Sequence, residues 1–175
     1  REYLTIDEIK RLIKVENDRN QIKMAFLFGC FCGLRISDIR ALKWGDIYKD
    51  GKQYRARIIM QKTATPISIS LSSKAMEWLP NRGDASDEDN VFKLPYLSTI
   101  DSSLKRMALK AGIAKSISFH TSRHTFATLM LTLGVDIYTT SKLLGHKDVV
   151  TTEIYGAIID QRKDEAVNKI NKAFK

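Results

Sequence analysis

Apolar side chains recur along most of this chain at three- and four-residue spacing, so helices dominate the expected structure. Thr5-x-x-Glu8 has the form of a capping box ahead of Ile6, Ile9, Leu12 and Ile13, which predicts a first helix near residues 6 to 15. A second helix runs through Ile22, Ala25, Phe26 and Leu27 and stops across Gly29 to Gly33, where two glycines loosen the backbone. Helical spacing resumes over residues 36 to 43 and then gives way to a period of two. R-A-R-I-I-M-Q and I-S-I-S-L flank K-T-A-T-P, so two antiparallel strands are expected, with Pro66 at the bend and Lys62 in the hairpin. Helices return over residues 98 to 111, from His120 through Phe126, Ala127, Met130 and Leu131 to Gly134, and from Ile137 to Leu144 before Gly145. From Asp160 onward, Ala166, Val167, Ile170 and Phe174 share one stripe, able to cap this chain's own core or a neighbour's.

Composition narrows the class. At 175 residues the chain has the size of one domain with a core of its own. No apolar run approaches the roughly 18 residues of a membrane span. The opening, R-E-Y-L-T-I-D-E-I, has no basic stretch leading into an apolar one, so it reads as a domain boundary rather than a signal peptide. Cys30 and Cys32 sit two apart in an apolar run, poorly placed for a disulfide and without a second pair for zinc. They read as buried thiols suited to a reducing cytosol. D-A-S-D-E-D, between Gly83 and Asn90, lacks the central glycine and terminal glutamate of a calcium loop and reads as a solvated loop. Charge changes the picture most. With 29 Lys and Arg against 20 Asp and Glu, the net charge is +9, the footprint of a phosphate-backbone binder, and nucleic acid becomes the leading partner.

Candidate chemistry clusters late in the chain. All three histidines fall between residues 120 and 146. In H-T-S-R-H, a helix presents His120 and Arg123 on one face, where a single phosphate could meet both. In L-L-G-H, His146 follows a helix-stopping glycine, and Tyr155 comes nine residues later. Taken singly, each has an ordinary reading: Arg35 as a surface ion pair, His146 as a cation at a helix end, Tyr155 as a half-buried aromatic. His124 keeps such a reading, as packing or support beside Arg123.

Together, G-L-R-I-S-D (33 to 38), H-T-S-R-H-T-F-A-T (120 to 128), L-L-G-H (143 to 146) and Tyr155 resemble, in order and spacing, the tyrosine recombinase or phage integrase family. The resemblance spans essentially the whole chain. It implies a mainly α fold with a small antiparallel sheet. Residues 1–175 would form a single catalytic domain, the C-terminal part of a longer recombinase with an N-terminal DNA-clamping domain before it. Carried over residue by residue, it implies that Arg35, Lys62, His120, Arg123 and His146 surround a scissile phosphate attacked by Tyr155. Lys62 is placed by its turn, because Q-K-T-A-T-P lacks the glycine-lysine pattern frequent in the family. Asp38, one helical turn after Arg35, is expected to orient a cationic neighbour.

These roles make chemical sense. Guanidinium forks bind phosphate bidentately and suit the charge that develops on the non-bridging oxygens. A phenol of reference pKa about 10 needs cationic neighbours or a base to become a nucleophile, and His120 is the candidate base. His146 adds a hydrogen bond, and Lys62 supplies the leaving 5′ oxygen with its proton. The sequence has no P-loop and no carboxylate cluster spaced for a two-metal nuclease, and the resemblance implies a reaction without metal, ATP or other cofactor. It further implies double-stranded DNA as partner, other copies of the chain in a synaptic tetramer, accessory directionality or architectural proteins, and a cytoplasmic, nucleoid-associated, prokaryotic setting without membrane attachment. The expected role is integration or excision of a mobile element. A topoisomerase-like nicking-closing enzyme and an inactive DNA-binding module are the alternatives.

Overall fold

The computed structural model describes residues 2–16, 20–62 and 64–146. The chain divides between Phe126 and Ala127 into two compact units.

In the first unit, α1 (Ile6–Lys14) starts on the expected capping box: the Glu8 amide donates to Thr5 Oγ1 at 3.2 Å and the Thr5 amide to Glu8 Oε2 at 2.8 Å. α2 (Gln21–Cys32) is apolar nearly all round, and is correspondingly buried. It continues through Gly29 and ends at Gly33, whose φ of 74° is the left-handed turn a glycine makes without strain. α3 (Ile36–Ala41) follows, with a single 3-10 turn at Trp44–Asp46.

The sheet has three strands rather than the expected two: β1 (Ile47–Asp50), β2 (Gln53–Ile59) and β3 (Pro66–Leu71), antiparallel in the order β1-β2-β3. β1 is too short to show alternation, and it joins β2 through the two-residue turn Gly51-Lys52, with Gly51 at φ 59°. Between β2 and β3 the chain closes through Met60 and Thr65, the Met60 amide donating to the Thr65 carbonyl at 2.9 Å. Lys62 is exposed in that loop, as its turn predicted. A short helix, α4 (Ser73–Met76), follows β3 and was not expected. The acidic segment is an exposed loop whose carboxylates serve local bonds, Asp87 to Arg82 at 2.6 Å and Asp89 to the Ser86 amide at 2.7 Å.

α5 (Leu97–Lys110) and the first half of α6 (His120–Thr132) complete this unit. Its core gathers around α2, where Phe26 meets Phe119 edge-on at 5.9 Å and Phe28 meets Phe92 at 5.4 Å. Cys30 and Cys32 are buried free thiols, as the apolar run implied.

In the second unit α7 (Ile137–Leu143) is capped by Asp136, whose Oδ1 accepts from the Thr139 amide at 2.8 Å. It ends in a Schellman motif: the Gly145 amide bonds the Lys142 carbonyl at 2.9 Å and the His146 amide the Ser141 carbonyl at 3.0 Å. The expected stripe at Ala166, Val167, Ile170 and Phe174 lies outside the described residues. None of the described helices is long and apolar enough to cross a membrane.

Candidate active site

Arg35 owes its place to the break between α2 and α3. Gly33 turns the chain, Leu34 drops into the core, and Arg35 becomes the N-cap of α3 with an extended ψ of 157°. Asp38, only 1% exposed, then uses both carboxylate oxygens. Oδ2 accepts from the Arg35 amide at 3.3 Å and Oδ1 from the Gln61 amide at 2.9 Å. One buried carboxylate thus joins the start of α3 to the β2–β3 loop, one residue from Lys62. A cationic side chain was the expected partner of Asp38; both of these bonds come from backbone amides, rigid N–H donors that satisfy a buried carboxylate.

Arg123 reaches the same turn from α6. It is 4% exposed, and its Nη1 donates to the Gly33 carbonyl at 2.6 Å. A helix C-terminal carbonyl carries partial negative charge, so the guanidinium is well matched there. His120 opens α6 with its side chain exposed, and the buried His124 packs its ring edge-on to that of His120, with centroids 4.5 Å apart. His124, read from the sequence as packing or support beside Arg123, is buried and in ring contact with His120. The start of α6 is held by α5: Asp101 Oδ1 accepts from the Phe119 amide at 2.9 Å. Arg40, on α3, donates to the Pro95 carbonyl just before α5. Hydrogen bonds therefore link α3 to the lead into α5, α5 to α6, and α6 back to the turn before α3.

Two electrostatic features stand out. Arg35 Nη1 is buried and has no hydrogen-bond partner among the described residues. A donor in that state costs about 1–3 kcal/mol, more when charged, unless an acceptor from outside completes it. At the end of α2, burial pushes the Cys32 thiol up to about 12, against the opposing pull of a backbone bond at Leu34 and of Arg123, with Asp38 adding to the rise. The same desolvation raises Cys30.

The first unit thus brings Arg35, Asp38, Arg123 and His120 together with the loop carrying Lys62. His146 lies in the second unit at the C-terminal motif of α7, and Tyr155 lies outside the described residues. Sequence reasoning missed three supports: the Gly33 carbonyl, the Gln61 amide and Asp101. The helix-ending glycine marks the turn, but not that its carbonyl meets Arg123. Backbone acceptors and donors leave no mark on residue type, and nothing near Asp101 singled it out.

The phage integrase family matches residues 2–162. The chain belongs to that family. Among curated relatives, this integrase-family chain is 32% identical over 182 residues to a tyrosine recombinase of Pseudothermotoga lettingae, covering 97% of this chain and 60% of the relative. It is also 32% identical over 179 residues to the tyrosine recombinase XerA of Pyrococcus horikoshii, covering 95% and 60%. The chain spans about 60% of the length of these relatives. The crystal structure of a XerA recombinase superposes with a TM-score of 0.73 at 26% identity, over 93% of this chain and 65% of that one. The catalytic domain of bacteriophage HP1 integrase gives 0.71 at 22%, over 95% and 93%, and shows the shared fold. XerH bound to its difH substrate in a pre-cleavage complex gives 0.75 at 22%, over 94% and 53%. The expected family and the mainly helical fold with a small antiparallel sheet both hold.

Proposed function

We propose that this chain is the catalytic domain of a site-specific DNA recombinase that cleaves and rejoins duplex DNA through a covalent 3′-phosphotyrosine at Tyr155. The observation that carries the reading is the buried, unpartnered Nη1 of Arg35 beside a turn already gripped by Arg123. Two guanidinium groups held by separate helices, one with an open donor, suit a non-bridging phosphate oxygen that gains charge in the transition state.

In the proposed cycle the phenolic oxygen of Tyr155 attacks phosphorus in line and passes its proton to His120. The P–O5′ bond breaks, and the departing oxygen takes a proton from Lys62. Arg35, Arg123 and His146 bind the non-bridging oxygens. The phosphotyrosyl bond keeps the energy of the original diester, so a 5′-hydroxyl reverses the step without ATP, and no step requires a metal. Asp38 positions rather than reacts: it fixes the backbone under Arg35 and the base of the Lys62 loop. The partners are duplex DNA and further copies of the chain, assembled as a tetramer on two sites in a nucleoid-associated cytoplasmic setting. Integration or excision of a mobile element is the proposed role. XerH has been crystallised bound to its difH substrate, and lambda integrase as a tetramer bound to a Holliday junction. The first supports DNA as the partner, and the second supports self-assembly on it.

The test incubates the chain with a library of nicked duplexes in EDTA without nucleotide, then sequences DNA retained through detergent. Wild type should yield adducts, and Tyr155→Phe none, with duplex affinity nearly unchanged. Adducts from Tyr155→Phe, or duplex binding by wild type without any adduct, would overturn the reading.

A further inference from the structure

The outer face of the sheet carries a side-chain cluster that the proposed active site does not use. In the β2–β3 register Arg57 stands opposite Ser68, and Arg55 stands between Tyr48 on β1 and Ser70 on β3. Tyr48 Oη and Ser68 Oγ share a hydrogen bond at 3.2 Å, and the Arg57 guanidinium lies over the Tyr48 ring, 5.1 Å from its centroid. The bond with Ser68, aided by Arg57 and Arg55, holds the Tyr48 hydroxyl below the usual phenol range.

The two arginines are not equivalent. Arg55 Nε is paired with Asp50 at 2.8 Å, whereas no carboxylate lies within ion-pair distance of Arg57 among the described residues. Polar outward residues are ordinary on a half-solvated sheet. A stacked, pre-oriented guanidinium without a counter-ion, flanked by two hydroxyls, is more specific: these are the donor types that contact phosphate oxygens along a nucleic-acid backbone.

Position favours duplex DNA as the source of that phosphate. Arg57 and Ile59 alternate on the outward side of β2, and the strand leads directly into the loop that presents Lys62. Lys62 lies five positions after Arg57, a reach of at most about 17 Å for extended chain. Phosphates recur about every 3.4 Å of axis along each strand, so a duplex touching Lys62 offers phosphates to Arg57 within about five positions.

We propose that Arg57, with Tyr48 and Ser68, forms a backbone-phosphate clamp that grips the DNA flank a few phosphates from the cleaved one. The inference rests on the DNA-recombinase reading above. Duplex affinity measured against salt concentration tests it, since each phosphate contact contributes about 0.9 to the logarithmic slope. Arg57→Gln should lower the slope by about 1, and Arg57→Lys should restore most of it. Over a fourfold rise in salt, that single contact corresponds to about a threefold difference in affinity. Arg55→Gln, already neutralised by Asp50, should leave the slope unchanged. Phosphate-ethylation interference should lose one position in Arg57→Gln, within about five phosphates of the cut.

Equal slopes for wild type and Arg57→Gln, with duplex binding intact, would overturn the clamp alone. An equal fall for Arg55→Gln would also overturn it, by showing a diffuse charge effect. A chain that binds no duplex at low salt would overturn both readings.

Discussion

At the scale of single residues, buried groups without side-chain choice decide the site. Asp38 has two acceptor duties and two oxygens, so Asp38→Asn keeps only one, turning an amide N–H₂ toward a backbone N–H. Asp38→Ala leaves two amides orphaned and should cost at least about 2 kcal/mol, read as a lower denaturant midpoint. Faster hydrogen exchange at the Gln61 and Arg35 amides, with DNA cleavage slowed more than DNA binding, would separate positioning from simple destabilisation. The thiols give a second residue-scale expectation. Cys32 is held protonated to about 12 in the folded chain, above the ordinary thiol value of about 8.5 in the unfolded one. The folded state therefore binds the extra proton between those values, so this contribution is intact below the unfolded pKa and is lost as pH climbs toward 12. Denaturation at alkaline pH should show a flatter decline for Cys32→Ala than for wild type, and neither thiol should react with a disulfide reagent until the chain unfolds.

At the scale of elements, the α2–α6 crossing matters most, because α6 carries His120 and Arg123. A Cβ on Gly29 would meet Ser122 Oγ at 2.7 Å and Ile39 Cδ1 at 3.3 Å. Ser122 has little room to yield, since its Oγ donates to the Phe119 carbonyl at 2.8 Å. Gly29→Ala should then cost about 1–3 kcal/mol by overpacking, measured by chemical denaturation, and Ser122→Ala in the same chain should return part of it. The β2–β3 loop holds the opposite opportunity. Ala64 sits at φ 50°, the left-handed region, at a cost of about 1–2 kcal/mol relative to an unstrained residue. Ala64→Gly removes that strain but adds about 0.5–1 kcal/mol of backbone entropy, for a net gain near 0.5 kcal/mol and a small rise in Tm.

At the scale of the whole molecule, the net charge of +9 sets behaviour that no single contact does. Duplex affinity should fall steeply with salt: four phosphate contacts would already make it about a hundredfold between 50 and 200 mM, read by anisotropy titration. An affinity independent of salt would contradict a backbone-phosphate partner.

The sequence by itself determined most of the elements and the family. Period-of-3.6 patterns, the Thr5 capping box and the helix-ending Gly33 and Gly145 are local signals, and local backbone geometry obeys them. The turn placed Lys62 in the β2–β3 loop, and the rarity of histidine drew attention to the segment from His120 to His146. β1 escaped because four residues cannot display a period. Only the tertiary structure decided how the site is held. The Gly33 carbonyl under Arg123, the Gln61 amide under Asp38 and the Asp101 bond to the Phe119 amide join residues 90, 23 and 18 positions apart. Such bonds use backbone groups common to every residue, or a carboxylate like any other, so only the folded chain can single them out.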